Sequence, residues 1–307
     1  MKFIADENDE NTRLDSFLTS VTSDLSRSKI QNLIKSGIVI VNGLEKKPSY
    51  LIKFGDEIEF EIPETEIIKI DPENIPLEII WEDDNMLVIN KPSGMLTHPT
   101  TQERSGTLVN ALLNKLGEKL SDINGEFRRG IVHRLDKNTS GLLMVAKNNK
   151  THEYLAEIIK EHNLIKKYRA IVKGNYPLDE DIINLPIGRH PTQPHKMAVV
   201  ENGKDSTTII KVLKRFKEAT LLDVTLVTGR THQIRVHLCK KGYPILNDTL
   251  YGAGTSKVKT EEQVLQSYYL RFTKPFSDEI IELQIEPDEK IKKVLNYLES
   301  KKWTAHI

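Results

Sequence analysis

His133-Arg134-Leu135-Asp136-Lys137 sets a histidine, two cations and one carboxylate in five consecutive positions. The apolar pair Ile131-Val132 precedes them. Asn138-Thr139-Ser140-Gly141 follows, and then the apolar run from Leu142 to Ala146. A polar loop in which Asp136 and Ser140 bond their own backbone accounts for the turn. It does not account for Arg134, because a long cation between interior-like flanks needs a partner. An ionised aspartate beside buried strands needs one too. The pattern therefore suggests a carboxylate held for chemistry.

A second cluster lies in "VTGRTHQIRVHLCKKG". Thr231 can cap a helix starting at His232, and Gly242 can end it. Helical spacing then puts His232, Arg235 and Cys239 on one face and Ile234 with Leu238 on another. Arg235, set among apolar neighbours, is well placed to meet an aspartate from another strand. A metal site of His232, His237 and Cys239 is the rival, but these spacings lack the four-residue step that puts two ligands on one helix face. A third element is "IKKYRAIVKG", whose alternation puts Tyr168, Ala170 and Val172 on one side of a strand. A tyrosine so placed is usually plain core, and the hydroxyl of Tyr168 would then want a partner.

Other chemistries lack their signatures. Neither standard Gly-rich phosphate loop occurs, so no nucleotide cofactor is expected. No Ser-centred elbow and no His-Glu-x-x-His helix is present, and no metal is expected. The single cysteine, Cys239, excludes an internal disulfide and fits a reducing cytoplasm. No apolar run is long enough to span a membrane, and the acidic start is not expected to be a secretory signal.

The elements that must position these residues follow from periodicity. Residues 13–60 read as a compact α+β unit. Leu14, Phe17, Leu18 and Val21 form one helical stripe, and Ile30, Leu33 and Ile34 form another, with Ser26 as N-cap and Gly37 as stop. "IVIVNG" is a strand entering an Asn42-Gly43 turn, and "GDEIEFEI" is a second strand. Arg27, Lys29 and Lys35 lie off the apolar stripe of the second helix. Residues 63–76, rich in proline and acids, read as a linker between a domain at 1–62 and one at 77–307. The second domain opens with one strand, "LEIIWEDDNMLVINKPSG". Five further strands ("GLLMVA", "KYRAIVKG", "TTIIKVL", "ATLLDVTLV", "IIELQI") mix with four helices ("TLVNALLNKL", "THEYLAEIIKEH", "THQIRVHLCKKG", "DEKIKKVLNYLES"). They do not alternate regularly, so an α+β fold with a mixed, largely antiparallel sheet is expected.

The chain is neutral overall, with 44 basic and 44 acidic residues. Residues 128–245, however, hold 22 Lys+Arg against 11 Asp+Glu, whereas 1–127 hold 13 against 23. A cationic excess around the opening motif suggests a surface that faces a polyanion.

Two resemblances sharpen this reading. Arg13-Leu14-Asp15, Leu25-Ser26-Arg27-Ser28, Gly37-Ile38-Val39, Val41-Asn42-Gly43 and Gly55-Asp56 resemble the small RNA-binding domain first described in ribosomal protein S-four. The resemblance makes Arg27, Lys29 and Lys35 expected RNA contacts. The run His133 to Leu142 is similar to the signature of the RluA-type pseudouridine synthases. So are "EDDNMLVINKPSG", Lys167-Tyr168, Gly203-Lys204 and the run Gly229 to His237. These enzymes convert uridine in RNA to its carbon-linked isomer. The resemblance implies that Asp136 is catalytic and that Arg134 fills the space left by a flipped nucleotide. It also implies that Tyr168 lies against the target base and that Arg235 pairs with Asp136. His133, Lys137, Arg230 and His232 are expected to contact RNA. The implied partner is structured RNA, either ribosomal RNA or a pre-ribosomal particle, met by a monomer with no cofactor. A transfer-RNA enzyme, a non-catalytic assembly factor and a metal-dependent hydrolase stand as alternatives. Asp136 acting on the sugar directly, or by removing a sugar proton, both remain open.

Overall fold

The computed structural model describes residues 1–22, 27–60, 69–252, 258, 260 and 262–300, apart from the side chains of Ser28 and Lys29. The chain divides into two compact units, Met1–Ile68 and Lys69–Ile307. The expected N-cap at Ser26 and residues 61–68 of the proline-rich stretch lie outside the described residues.

In the first unit, β1 (Lys2–Ile4) precedes helices α1 (Leu14–Val21) and α2 (Arg27–Lys35). Strands β2 (Val39–Val41), β3 (Leu44–Glu45) and β4 (Glu57–Phe60) follow, and the antiparallel sheet runs β1-β4-β2-β3. Asn42 and Gly43 take φ of 52° and 74°, the left-handed pair that a tight hairpin requires. Leu14, Phe17, Leu18, Ile30 and Ile34 meet Val39, Val41, Ile58 and Phe60 in one core. Val21, expected on the α1 stripe, is instead 39% exposed, because it ends the helix at the unit's surface.

Asp15 is fully buried in this unit. It accepts from Arg13 at 3.0 Å, from Gln31 at 2.6 Å and from Arg27 at 3.2 Å. The Arg13 bond is foremost in holding its carboxyl well below the usual carboxylate range. Arg27 is thus partly a structural cation.

The second unit begins with residues that were read as linker. Ile70 is buried, Glu73 N–H donates to the Asn110 carbonyl, and the Glu73 carboxylate accepts from Gly106 N–H. Then come β5 (Glu78–Glu82), β6 (Met86–Lys91), α3 (Leu108–Leu116), β7 (Ser140–Ala146), α4 (Asn149–Lys160) and β8 (Ile165–Lys173). They are followed by β9 (Glu180–Asn184), β10 (Ile187–Arg189), β11 (Met197–Val199), β12 (Thr207–Arg215) and β13 (Ala219–Leu226). Last are α5 (Gln233–Lys240), β14 (Leu265–Thr273), β15 (Ile280–Gln284) and α6 (Glu289–Ser300). The expected single opening strand is two. Asp83 Oδ1 accepts from the N–H groups of Asn85 and Met86 at 2.8 Å each, an Asx turn that folds β5 back onto β6.

Among the described residues the main sheet has nine strands in the order β5-β6-β7-β14-β8-β13-β12-β9, with β15 on β14. Only the β7–β14 pairing is parallel. The sheet is mixed and largely antiparallel. Helix α4 lays Leu155 and Ile158 against Met86, Val88, Leu142, Met144 and Phe272.

Strand β14 is central, yet the sequence did not mark it. It enters between β7 and β8 where Gly141 takes φ of 116°, and an added Cβ there would lie 2.0 Å from the Ser267 carbonyl oxygen. Only glycine lets the two backbones approach so closely. Gly141→Ala should cost more than about 2 kcal/mol, since the clash is with backbone and the φ is unfavourable. Thermal melting checks this; an unchanged melting temperature would show that β14 can shift freely.

Candidate active site

The segment that carries Asp136 is pinned from beneath. The Lys91 side chain, fully buried at the end of β6, donates to the carbonyls of Pro92 (2.8 Å), Met95 (2.7 Å) and Lys137 (3.1 Å). Burial draws its pKa down, but three acceptors call for three N–H donors, which only the charged form supplies. Thr97 Oγ1 donates to the Leu135 carbonyl at 2.9 Å, and Gly94 N–H donates to that of Lys137. His133 Nε2 accepts from the Met144 N–H at 3.0 Å, which places the ring proton on Nδ1. Burial lowers the His133 pKa to about 3, so this histidine is a neutral wall of the site and not a cation for phosphate.

Asp136 and Arg235 meet as an ion pair, with Arg235 Nη1 donating to Asp136 Oδ2 at 3.0 Å. The two residues come from the β7 approach and from α5, 99 positions apart. Arg235 has a second partner that sequence reasoning missed. Its Nε and Nη2 donate to the two oxygens of Asp248 at 2.7 and 2.9 Å. Asp248 is fully buried and also accepts from the N–H groups of Leu250 and Tyr251. The guanidinium is thus clamped by a bidentate pair and offers Asp136 a remaining N–H. It also lies 4.9 Å from the Tyr251 ring centroid.

The start of α5 differs from expectation. His232 is the N-cap, in the left-handed region at φ 57°, and makes no side-chain capping bond. Gln233 closes the turn instead: its Oε1 accepts from Arg230 N–H at 2.9 Å and from Thr228 Oγ1 at 2.8 Å. This backbone, uncommon for a non-glycine residue, turns the imidazole into the site. His232 Nδ1 bonds the Tyr251 hydroxyl at 2.7 Å, and Nε2 lies 3.8 Å from Asp136 Oδ1. The Tyr251 hydroxyl already accepts from Met197 N–H. The hydroxyl thus joins the backbone at Met197 to the imidazole of His232, which fixes the orientation of the ring. Burial lowers the His232 pKa against the pull of Asp136.

Tyr168 stands on β8 with Ser267 of β14 as its register partner. Burial raises its phenol pKa above the usual value, with Ser267 opposing, so it remains a neutral, flat surface.

A cavity of about 510 Å³ gathers His133, Arg134, Asp136, Tyr168, Arg230, His232 and Arg235 on its wall, beside the apolar Val132, Leu226 and Leu265. Arg134 is exposed and, among the described residues, makes no hydrogen bond or ion pair, although the Asp136 charge acts on it through space. Arg230 donates from Nε to the Asp205 carbonyl at 3.1 Å. Lys137 does not join the cavity wall but pairs with Glu103 at 2.9 Å on the surface. Arg27 and Lys35 are exposed on α2 of the first unit, and the Lys29 side chain lies outside the described residues. His237 Nδ1 bonds Thr208 Oγ1 and Nε2 bonds the Leu185 carbonyl, which ties both of its nitrogens into the core. The described residues contain no group of three or more His, Cys, Asp or Glu placed to hold a metal ion. None of their helices is long and apolar enough to cross a membrane.

The arrangement presents one oriented carboxylate, a flat aromatic surface and unpaired cations around a half-enclosed space. It can stabilise or attack a carbon that becomes positive beside a planar ring. Comparison with known proteins agrees with that chemistry. Residues 85–240 match the RNA pseudouridylate synthase model, and residues 12–58 match the S4 domain. An uncharacterized RNA pseudouridine synthase of Aquifex aeolicus is 43% identical over 94% of this chain and 95% of its own. Ribosomal large subunit pseudouridine synthase D of Zymomonas mobilis is 39% identical over 89% and 90% respectively. The structure of human RNA pseudouridylate synthase domain containing 1 superposes with a TM-score of 0.57 at 25% identity, covering 74% of this chain and 96% of that one. With an S4 domain ahead of the sheet that carries Asp136, the chain belongs to the RNA pseudouridylate synthase family and is an isomerase of uridine in RNA.

Proposed function

We propose that the enzyme acts on particular uridines of large-subunit ribosomal RNA in the cytoplasm, with Asp136 as its essential group. The carrying observation is the Asp136–Arg235 bond at 3.0 Å inside a cavity that also holds Tyr168. Isomerisation must open the bond between the base and its sugar, which builds positive charge on the sugar. An oriented carboxylate stabilises or attacks that centre, or removes a sugar proton. The freed base must stay trapped, turn and rejoin through carbon-5. With the RNA seated over the cavity, the apolar wall around Tyr168 keeps out the water that would otherwise hydrolyse the intermediate. The target must leave its stack, and the exposed Arg134, which makes no hydrogen bond among the described residues, is our choice for the side chain that fills the gap. Arg230 and the cationic 128–245 segment grip phosphates, with Arg27, Lys29 and Lys35 of the first unit adding to that grip.

The ribosomal target rests on the relatives named as large-subunit enzymes, together with the S4 domain. A map of pseudouridines in RNA from cells with and without the protein tests it. Discrete large-subunit sites should disappear without the protein. Loss confined to transfer RNA would replace the target, and no loss in any RNA would overturn the proposal.

A further inference from the structure

Lys166 is a buried cation that the roles above do not use. It is 7% exposed and stands on the wall of the catalytic cavity. Among the described residues it makes no hydrogen bond or ion pair. An ammonium taken out of water without a partner is costly, so the site expects an acceptor there. Burial draws its pKa down to about 8, which still leaves most of it charged at neutral pH. Gly229 lines the cavity beside it, where even an added Cβ would only touch Nζ, at 3.4 Å.

We propose that Lys166 donates to the uracil oxygen farthest from the sugar, and that it stabilises the charge the base gains when its bond to the sugar opens. This rests on the reading that the cavity holds a flipped uridine with its sugar at Asp136.

Strand register gives the direction. Ser267 of β14 lies between Gly141 of β7 and Tyr168 of β8. Asp136 precedes Ser140, so it lies toward the Tyr168–Ala170 end of β8. Lys166 lies the other way, paired with Leu270. His133, bonded to Met144 further along β7, is at that same end, where Lys166 helps to lower its pKa. The cavity therefore runs from Asp136, past Tyr168, to Lys166. Residues two apart on a strand are about 6.5–7 Å apart and share a face. That is the scale of one pyrimidine ring plus a hydrogen bond. A base lying over Tyr168 with its sugar at Asp136 directs its O4 toward Lys166.

The chemistry favours a cation there. When the N1–C1′ bond opens, its electron pair stays with the base and spreads over O2 and O4. Turning the ring about its N3–C6 line exchanges N1 with C5, and O2 with O4. The same ammonium then meets an oxygen before and after the turn; once the C5–C1′ bond has formed, the C5 proton passes to water and N1 takes up a proton from water, so the base ends neutral. Cytosine would present an amino donor to that ammonium and be disfavoured.

The test uses the full chain and a short RNA whose single uridine the unaltered enzyme converts, read by tritium release from C5. Lys166→Gln should lower kcat about 10²-fold with a smaller change in KM, and Lys166→Arg should recover part of the loss. Placing 4-thiouridine at the target weakens the acceptor and should slow the unaltered enzyme about tenfold. It should barely slow Lys166→Gln, because the two changes remove one interaction. A neutral methylphosphonate beside the target should slow both proteins equally. A thio penalty undiminished in the variant would overturn the inference. So would a methylphosphonate penalty that vanishes in it, since Lys166 would then serve a phosphate. Lys166→Met replaces the glutamine variant if melting shows that one misfolded. An unaltered enzyme that converts no uridine in any RNA would overturn the proposed function instead.

Discussion

Asp136→Asn should fold, bind RNA and make no detectable pseudouridine, a loss on the order of 10⁴-fold or more, as when the reacting group of an enzyme is removed. The structure explains why the fold should survive. Asparagine keeps the volume of the side chain, and its carbonyl oxygen can still accept from Arg235 Nη1. Arg235 remains anchored by two bonds to Asp248 whether or not position 136 is charged. The stability change should therefore stay near about 1 kcal/mol, the scale of one altered hydrogen bond. The chemistry has no such substitute. His232 lies 3.8 Å from the other Asp136 oxygen but is bound to Tyr251, and Tyr168 is held neutral by burial. Tritium release from C5 and a salt-dependent RNA-binding measurement separate the two effects. Turnover within tenfold of the unaltered enzyme would remove Asp136 from the reaction.

Much of this site was legible because its motifs obey local rules. The apolar flanks of His133–Asp136 do become buried strand and loop, and Arg235 does reach Asp136 across 99 residues. The N-cap failed for a physical reason: His232 gives its ring to Tyr251 and the site, and Gln233 takes over the capping of the turn. Strand β14 stayed hidden because "LQSYYLRFT" is crossed by Gln266, Ser267 and Arg271, so its polar residues mask the pattern of a central strand. Gln266 and Ser267 are nonetheless buried; Gln266 Nε2 donates to the Glu286 carbonyl and Ser267 Oγ to that of Leu142. Asp248 was invisible for another reason. It follows α5 in an irregular turn with no periodicity to report burial, and Asn247 before it takes φ of 61°. Lys91 appeared only as one letter of a resembling stretch, with no role of its own. Nothing in its neighbours says that three carbonyls converge on it.

The Asp248 clamp changes what removal of Arg235 should do. Mutual dependence of Asp136 and Arg235 alone would make the two single losses compensate when both residues are replaced. The geometry assigns the larger share of the dependence elsewhere. Asp248 is fully buried and takes two of the Arg235 bonds, whereas Asp136 is 18% exposed in its side chain and takes one. Arg235→Met should therefore cost about 3–5 kcal/mol, the usual consequence of leaving a buried charge without its partner, and abolish turnover because Asp136 loses its orienting donor. Adding Asp248→Asn removes the stranded charge while keeping volume and the bonds from Leu250 and Tyr251 N–H. That double variant should regain a large part of the lost stability and remain inactive. Adding Asp136→Asn to Arg235→Met should regain little, since water reaches Asp136 and already stabilises its charge. Denaturant melts of the unaltered protein, the three single variants and the two double variants close the two cycles that measure each coupling. Greater rescue by Asp136→Asn than by Asp248→Asn would show that the catalytic aspartate, and not the buried one, is what Arg235 chiefly supports.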